Sequence, residues 1–264
     1  MQQNCQIEDR GTHLVVVNDN PQRRNALTAG FYAGMRAALA QAAAEPRIAA
    51  VILTGAEGFF CAGGDLTMLM TAQDMTHSRR RAEIEDLQSL IRAILDCPRP
   101  VIAAVEGGAA GAGFSLALAC DLIVAAQDAR FTASYVNAGL VPDGGLTGSL
   151  TAALPPALVA EICLLGRPVE AQRLLDLGSI NAVTEPGGAL AAAEALAQRL
   201  AQGPAEAQAE IKALLTGARA ALIDAQLDAE VEPMAVALGS AEAAEGIEAF
   251  LGKRPPDFSA LRRR

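Results

Sequence analysis

Histidine is scarce: His13 and His77 are the only two, so a zinc site would need an unusual ligand set. The five cysteines, Cys5, Cys61, Cys97, Cys120 and Cys163, show no CxxC pairing, and an odd number in a chain of 264 residues does not make a disulfide framework. They read as reduced, mostly buried thiols, and no metal is expected. Basic residues are outnumbered, 21 against 30, and the net charge of −9 excludes an overall basic field that would favour nucleic acid or an anionic membrane. Arg79-Arg80-Arg81 is too short to reverse that sign. No apolar run approaches the roughly 20 residues that a membrane span needs. The opening MQQNCQIEDR lacks the basic end and apolar run of a secretion signal, so a cytoplasmic protein is expected. Tryptophan is absent and aromatics make up 3% of the chain; much of its 52% hydrophobic share is alanine-rich helical sequence. The length suits one large domain, or a domain with an appendage.

What is present is a strand–helix alternation. Residues 13–17, 50–54, 101–105 and 122–125 read as strands, with another near Phe131. Thr28 is placed to cap a helix running to about Glu45. Ile84, Leu87, Ile91 and Ile94 recur at helical spacing over residues 83–95, and Cys97-Pro98 ends that pattern. The alternation predicts an α/β fold. From about residue 187 strand signals stop, and helices separated by Gly203-Pro204, Gly217 and Gly239 are expected to pack on the core or on a neighbour.

The glycine-rich stretch Gly107-Gly108-Ala109-Ala110-Gly111-Ala112-Gly113 follows a strand and opens a helix, which leaves backbone N–H groups free at a positive dipole end. A dinucleotide fingerprint counted from Gly111 finds Leu116 where its third glycine belongs. Gly113-Phe114-Ser115-Leu116-Ala117 is a degenerate nucleophile elbow, but no histidine follows His77 to serve Ser115. A third reading pairs this turn with a distant one, Cys61-Ala62-Gly63-Gly64-Asp65-Leu66, so that two N–H donors aim at one oxygen.

These residues resemble the crotonase family, the enoyl-CoA hydratase/isomerase superfamily. The matching pieces are Arg24-Asn25-Ala26-Leu27, AGGDL at 62–66, residues 100–107 running into the glycine turn, Cys120-Asp121-Leu122, residues 139–145, and Phe250-Leu251-Gly252-Lys253-Arg254-Pro255, in family order. The resemblance implies a crotonase-like spiral of ββα turns over residues 1–200 and a C-terminal helical trimerisation region over 201–264, assembled as a homotrimer or a hexamer. It implies an acyl-CoA thioester substrate, with coenzyme A carried by the substrate rather than held as a cofactor. Carried over by position, Gly64 and Ala112 supply the two N–H groups that hold a thioester enolate. Arg24, Ala26, Ala62, Asp65 and Leu66 lie where the family meets coenzyme A, and Lys253 is placed to reach its phosphates. Asp65 also has the position of a helix cap.

Family hydratases use two glutamates around one water; here those positions fall on Ser115 and Tyr135, neither a carboxylate. Asp143, in Leu140-Val141-Pro142-Asp143-Gly144-Gly145, sits where ring-1,2-epoxyphenylacetyl-CoA isomerase-like members place a catalytic aspartate. A nucleophilic aspartate of 4-chlorobenzoyl-CoA dehalogenase occupies a similar position, but its aromatic-rich pocket has little counterpart in a chain without tryptophan. The expectation is therefore an enoyl-CoA isomerase working through Asp143, with Tyr135 shaping the pocket or bonding the substrate. A hydratase or other crotonase-type lyase and a catalytically silent acyl-CoA binder are the alternatives. Glu83 and Glu85 are expected on a solvated helix face, His77 on the surface in a mobile segment, and Phe114, Met68, Met70 and Leu140 in the core, with the lining of an acyl pocket as the alternative. Glu106 is placed to orient the glycine turn.

Overall fold

Leu14, Val15 and Val16 are consecutive and all buried, so the strand that carries them has cover on both faces. The computed structural model describes residues 4–262. Its chain runs β1 (Cys5–Asp9), β2 (His13–Asn18), α1 (Ala29–Ala44), β3 (Ala50–Gly55), α2 (Leu66–Met70), α3 (His77–Asp96), β4 (Val101–Val105), β5 (Gly108–Ala110), α4 (Ala112–Ala119), β6 (Leu122–Ala126) and β7 (Arg130–Thr132). There follow α5 (Leu146–Ala153), α6 (Pro156–Leu165), β8 (Val169–Glu170), α7 (Ala171–Asp176), β9 (Ala182–Thr184), α8 (Ala189–Ala201), α9 (Ala205–Ala237), α10 (Ala241–Leu251) and α11 (Phe258–Leu261).

The larger sheet has the order β1-β2-β3-β4-β6-β9, parallel except for β1. Its register sets Val15 beside Ile52, and Ile52 beside Ile102, making an apolar row that packs with Ala189, Ala193 and Ala197 of α8. Alanines at helical spacing let α8 lie close to this face. The alternate residues, Leu14, Val51 and Val101, face the main core with Phe31 and Met35 of α1 and Phe114 and Phe131. The smaller sheet, β5-β7-β8, takes β5 after β4 and β7 after β6, so β4-β5-α4 and β6-β7 with the 3-10 turn Ser134–Ala138 form successive coils of a ββα spiral. Cys61, bridged to Ala109, gives β3 the same continuation.

Three expectations need correction. α9 runs unbroken through Gly217, because one glycine costs a helix only about 1 kcal/mol among strong helix formers. Lys212 anchors that helix: buried, its Nζ bonds the carbonyls of Ile94 and Arg99 and pairs with Asp121 at 2.7 Å. His77 is exposed as expected but lies in no loose segment: it opens α3, which Thr76 caps, and its Nε2 is 3.0 Å from Glu232. Met68 and Met70 are outside the core, at 63% and 43% exposed, since only Leu66 and Leu69 of the five-residue α2 face inward. Within the chain α9 packs on α3 and α5, and α10 packs on α2 and the 134–138 turn. Among the described residues no helix is long and apolar enough to cross a membrane.

Candidate active site

Two backbone turns far apart in sequence are in contact. Residues 62–64 lead from Cys61 into α2, and Gly111 leads from β5 into α4. Gly63 holds φ +86°, and a Cβ on it would lie 2.6 Å from the Ala110 carbonyl oxygen and 3.0 Å from the Ala112 nitrogen. Only a residue without a side chain lets the turns meet this way. A Cβ on Gly113 would lie 2.4 Å from the Cys61 carbonyl oxygen, so the approach is tight from both sides. Among the described residues neither the Gly64 N–H nor the Ala112 N–H meets an acceptor. Ala112 is the first residue of α4, so its free N–H belongs to the positive end of that helix.

Asp143, 6% exposed, is tied to α4 through Ser115 and to the 134–138 turn through Tyr135. Its Oδ1 accepts from Tyr135 Oη at 2.7 Å; Tyr135 Oη is 3.3 Å from Ser115 Oγ, which donates to the Asp143 carbonyl at 2.8 Å. Ser115 and Tyr135 thus each donate their one hydroxyl proton to Asp143, with their oxygens 3.3 Å apart. Tyr135 also borders the glycine turn, where a Cβ on Gly111 would lie 3.9 Å from its Cζ. The phenol that bonds the carboxyl therefore lies close to the glycine turn before Ala112.

The Arg24–Leu27 stretch runs alongside the first turn: Ala62 N–H donates to the Arg24 carbonyl at 3.0 Å and Leu27 N–H to the Gly63 carbonyl at 2.8 Å. Asn25, at φ +55° and fully buried, holds this path by donating to the carbonyls of Ala56 and Phe59 and accepting from Asn20 N–H. Arg24 is exposed, its guanidinium 5.7 Å from the Phe59 ring centre, and Ala26 is buried. The Asp65 carboxylate caps α2 at Thr67 N–H, 2.9 Å, and pairs with Arg23 at 2.9 Å, which leaves the backbone of Asp65 and Leu66 beside the site. Lys253 is exposed just beyond α10. Glu106 accepts from Gly187 and Ala189 N–H, tying the glycine turn to the start of α8.

A profile of the enoyl-CoA hydratase/isomerase family matches residues 10–261. The chain belongs to the enoyl-CoA hydratase/isomerase family. Among its relatives is the 1,2-epoxyphenylacetyl-CoA isomerase of Escherichia coli (strain K12), 34% identical over 256 residues and covering 95% of this chain and 96% of that one. Another is the 2,3-dehydroadipyl-CoA hydratase of the same organism, 33% identical over 246 residues, 93% of this chain and 94% of that one. The crystal structure of an enoyl-CoA hydratase from Polaromonas sp. JS666 is similar with a TM-score of 0.80 at 43% identity, covering 96% of this chain and 98% of that one. The relatives' names divide between isomerase and hydratase, so within this family the individual reaction is a question for the site.

Burial is the largest influence on Asp143, pushing its carboxyl from 3.8 up to about 7; the charge of Glu230 adds to the rise, and hydrogen bonds from Tyr135 and its own backbone N–H oppose it. Burial and then the Asp143 charge hold the Tyr135 hydroxyl well above its ordinary range, so it stays a donor. A carboxyl poised near neutrality can both take and return a proton. Two contributors escaped sequence reasoning. Tyr32 of α1 is held above the phenol range by burial first and then by the charge of Asp143. Glu230 lies outside every motif; its one signal was an acid on the apolar face that Leu227, Val231 and Met234 define on α9.

Proposed function

We propose that this protein is an enoyl-CoA isomerase that shifts a double bond by a 1,3-proton transfer through Asp143. The Asp143 carboxylate removes a proton from the carbon next to the thioester of a 3-enoyl-CoA. The electron pair left behind spreads through the neighbouring double bond to the thioester oxygen, where the N–H groups of Gly64 and Ala112 receive the charge. The protonated carboxyl then returns its proton to the far carbon, giving the 2-enoyl thioester. Removing one such preorganised donor typically costs about 2.7–4 kcal/mol of barrier lowering. In this reading Tyr135 holds the carboxyl in place and lines the pocket. Arg24, Ala26, Ala62, Asp65, Leu66 and Lys253 flank the coenzyme A portion, Arg24 and Lys253 toward its phosphates. No cofactor beyond that carried by the substrate takes part.

The observation that carries the proposal is Asp143 itself, a buried carboxyl bonded to Tyr135 at 2.7 Å and raised to about 7. The two hydratase glutamate positions hold a serine and this tyrosine instead. Product analysis with a 3-enoyl-CoA and a 2-enoyl-CoA tests it. A shifted double bond is expected; a 3-hydroxyacyl product supports a hydratase using Asp143 and water. Absence of proton exchange with deuterated solvent marks a silent binder.

For assembly we carry forward a homotrimer or dimer of trimers. Its support is the row Ile211, Leu214 and Leu215 on α9, which a single chain leaves exposed.

A further inference from the structure

Glu230 sits on α9, far in sequence from Asp143, and only 4% of it is exposed. Its carboxylate accepts from the N–H of Gly145 at 2.6 Å, the N–H of Thr147 at 3.0 Å and Thr147 Oγ1 at 2.6 Å. These donors belong to the start of α5, which has no side-chain cap of its own. A carboxylate there satisfies otherwise unpaired donors and meets the positive end of the helix. Gly144 and Gly145, at φ +65° and +74°, make the turn between Asp143 and α5. A Cβ on Gly145 would lie 3.2 Å from Leu227 Cδ2, one helical turn before Glu230. α9 therefore dictates the path of residues 143–147 by packing and by hydrogen bonds.

We propose that Glu230 is a positioning residue for the proton transfer: it anchors the turn that presents Asp143 and places a second negative charge behind it. This rests on the reading of Asp143 given above. Burial raises the Glu230 carboxyl too, and the bonds from Thr147 and Gly145 oppose that rise; once ionised, it disfavours ionisation of Asp143 and so helps keep the proton affinity of Asp143 near neutral pH. The titratable groups that share this surrounding are Tyr135, Cys163 of α6 and Tyr32 of α1, all held neutral by burial. The charged residues between α3 and α9 pair on the solvent side, Arg81 with Glu232 and Arg92 with Asp224 and Asp228, and His77 Nε2 lies 3.0 Å from Glu232.

The test is the pH profile of kcat/KM for a 3-enoyl-CoA with the full-length Glu230→Gln enzyme. Its plateau is expected to fall about tenfold as the turn loosens, and its acidic limb to move down by about half a pH unit or more as the charge is lost. A limb that stays in place, whatever the plateau does, reduces Glu230 to a structural cap and overturns the proposal. Should Glu230→Gln fail to fold, Thr147→Val removes one donor that favours the ionised Glu230, and a smaller shift of the limb in the same direction is expected; an unmoved limb there overturns the proposal equally. Asp143→Asn separates the two levels: if it retains activity, the proton-transfer reading falls and this inference with it. If it is inactive while Glu230→Gln keeps the wild-type profile, only the inference falls.

Discussion

Asp143 is 3.8 in its ordinary state and about 7 when buried here, and that difference has opposite consequences for chemistry and stability. Burial costs nothing while the carboxyl is protonated in both folded and unfolded chains. As pH rises between the two values the unfolded chain gives up its proton first, so stability falls until the folded-state value is passed. At about pH 8 the loss is on the order of 2–4 kcal/mol. Asp143→Asn should therefore raise the thermal unfolding midpoint near that pH by several degrees, with little gain near pH 4, and should lower turnover by at least about a thousandfold. Calorimetry at two pH values and a rate assay read these separately. Tyr135→Phe removes a bond that favours the ionised carboxylate, so Asp143 should titrate higher and the acidic limb of kcat/KM should move up. An unmoved limb would show that the 2.7 Å bond does not act on the carboxyl in solution.

The elements matter here through their ends. α2 and α4 each begin at a glycine turn, and the turns touch because Gly63 and Gly113 present no side chain to the opposing backbone. Gly63→Ala would push a methyl group against the Ala110 carbonyl and force a left-handed conformation on alanine. The expected outcome is a loss of activity of roughly a hundredfold, from displacement of one N–H donor, with helix content by circular dichroism unchanged. A variant with full activity would show that the contact of these turns is not what catalysis requires. Glu230 makes the same point for α5, whose first N–H groups are capped from another helix.

At the scale of the whole molecule, α10 packs on α2 of its own chain, and Lys253 follows directly after α10. The exposed row on α9 should be covered by further copies of the chain. Sedimentation is expected to show a trimer or hexamer, and Leu214→Glu combined with Leu215→Glu to shift it toward monomer; a wild-type monomer would overturn the assembly. The main strands, α1 with its Thr28 cap and the glycine turn before α4 were legible in the chain, because apolar runs, caps and backbone conformation act over a few neighbouring residues. Six short motifs in order were enough to point to the family. That Ser115 and Tyr135, where the resemblance places the hydratase glutamates, carry no carboxylate was also legible in the sequence. Only the tertiary structure decided that Asp143 is buried beside Tyr135, that Glu230 stands behind it, that Lys212 is interior and that α9 continues through Gly217. Proton affinity and capping depend on charges and donors that come close only when distant segments pack, and nothing in local sequence records that distance.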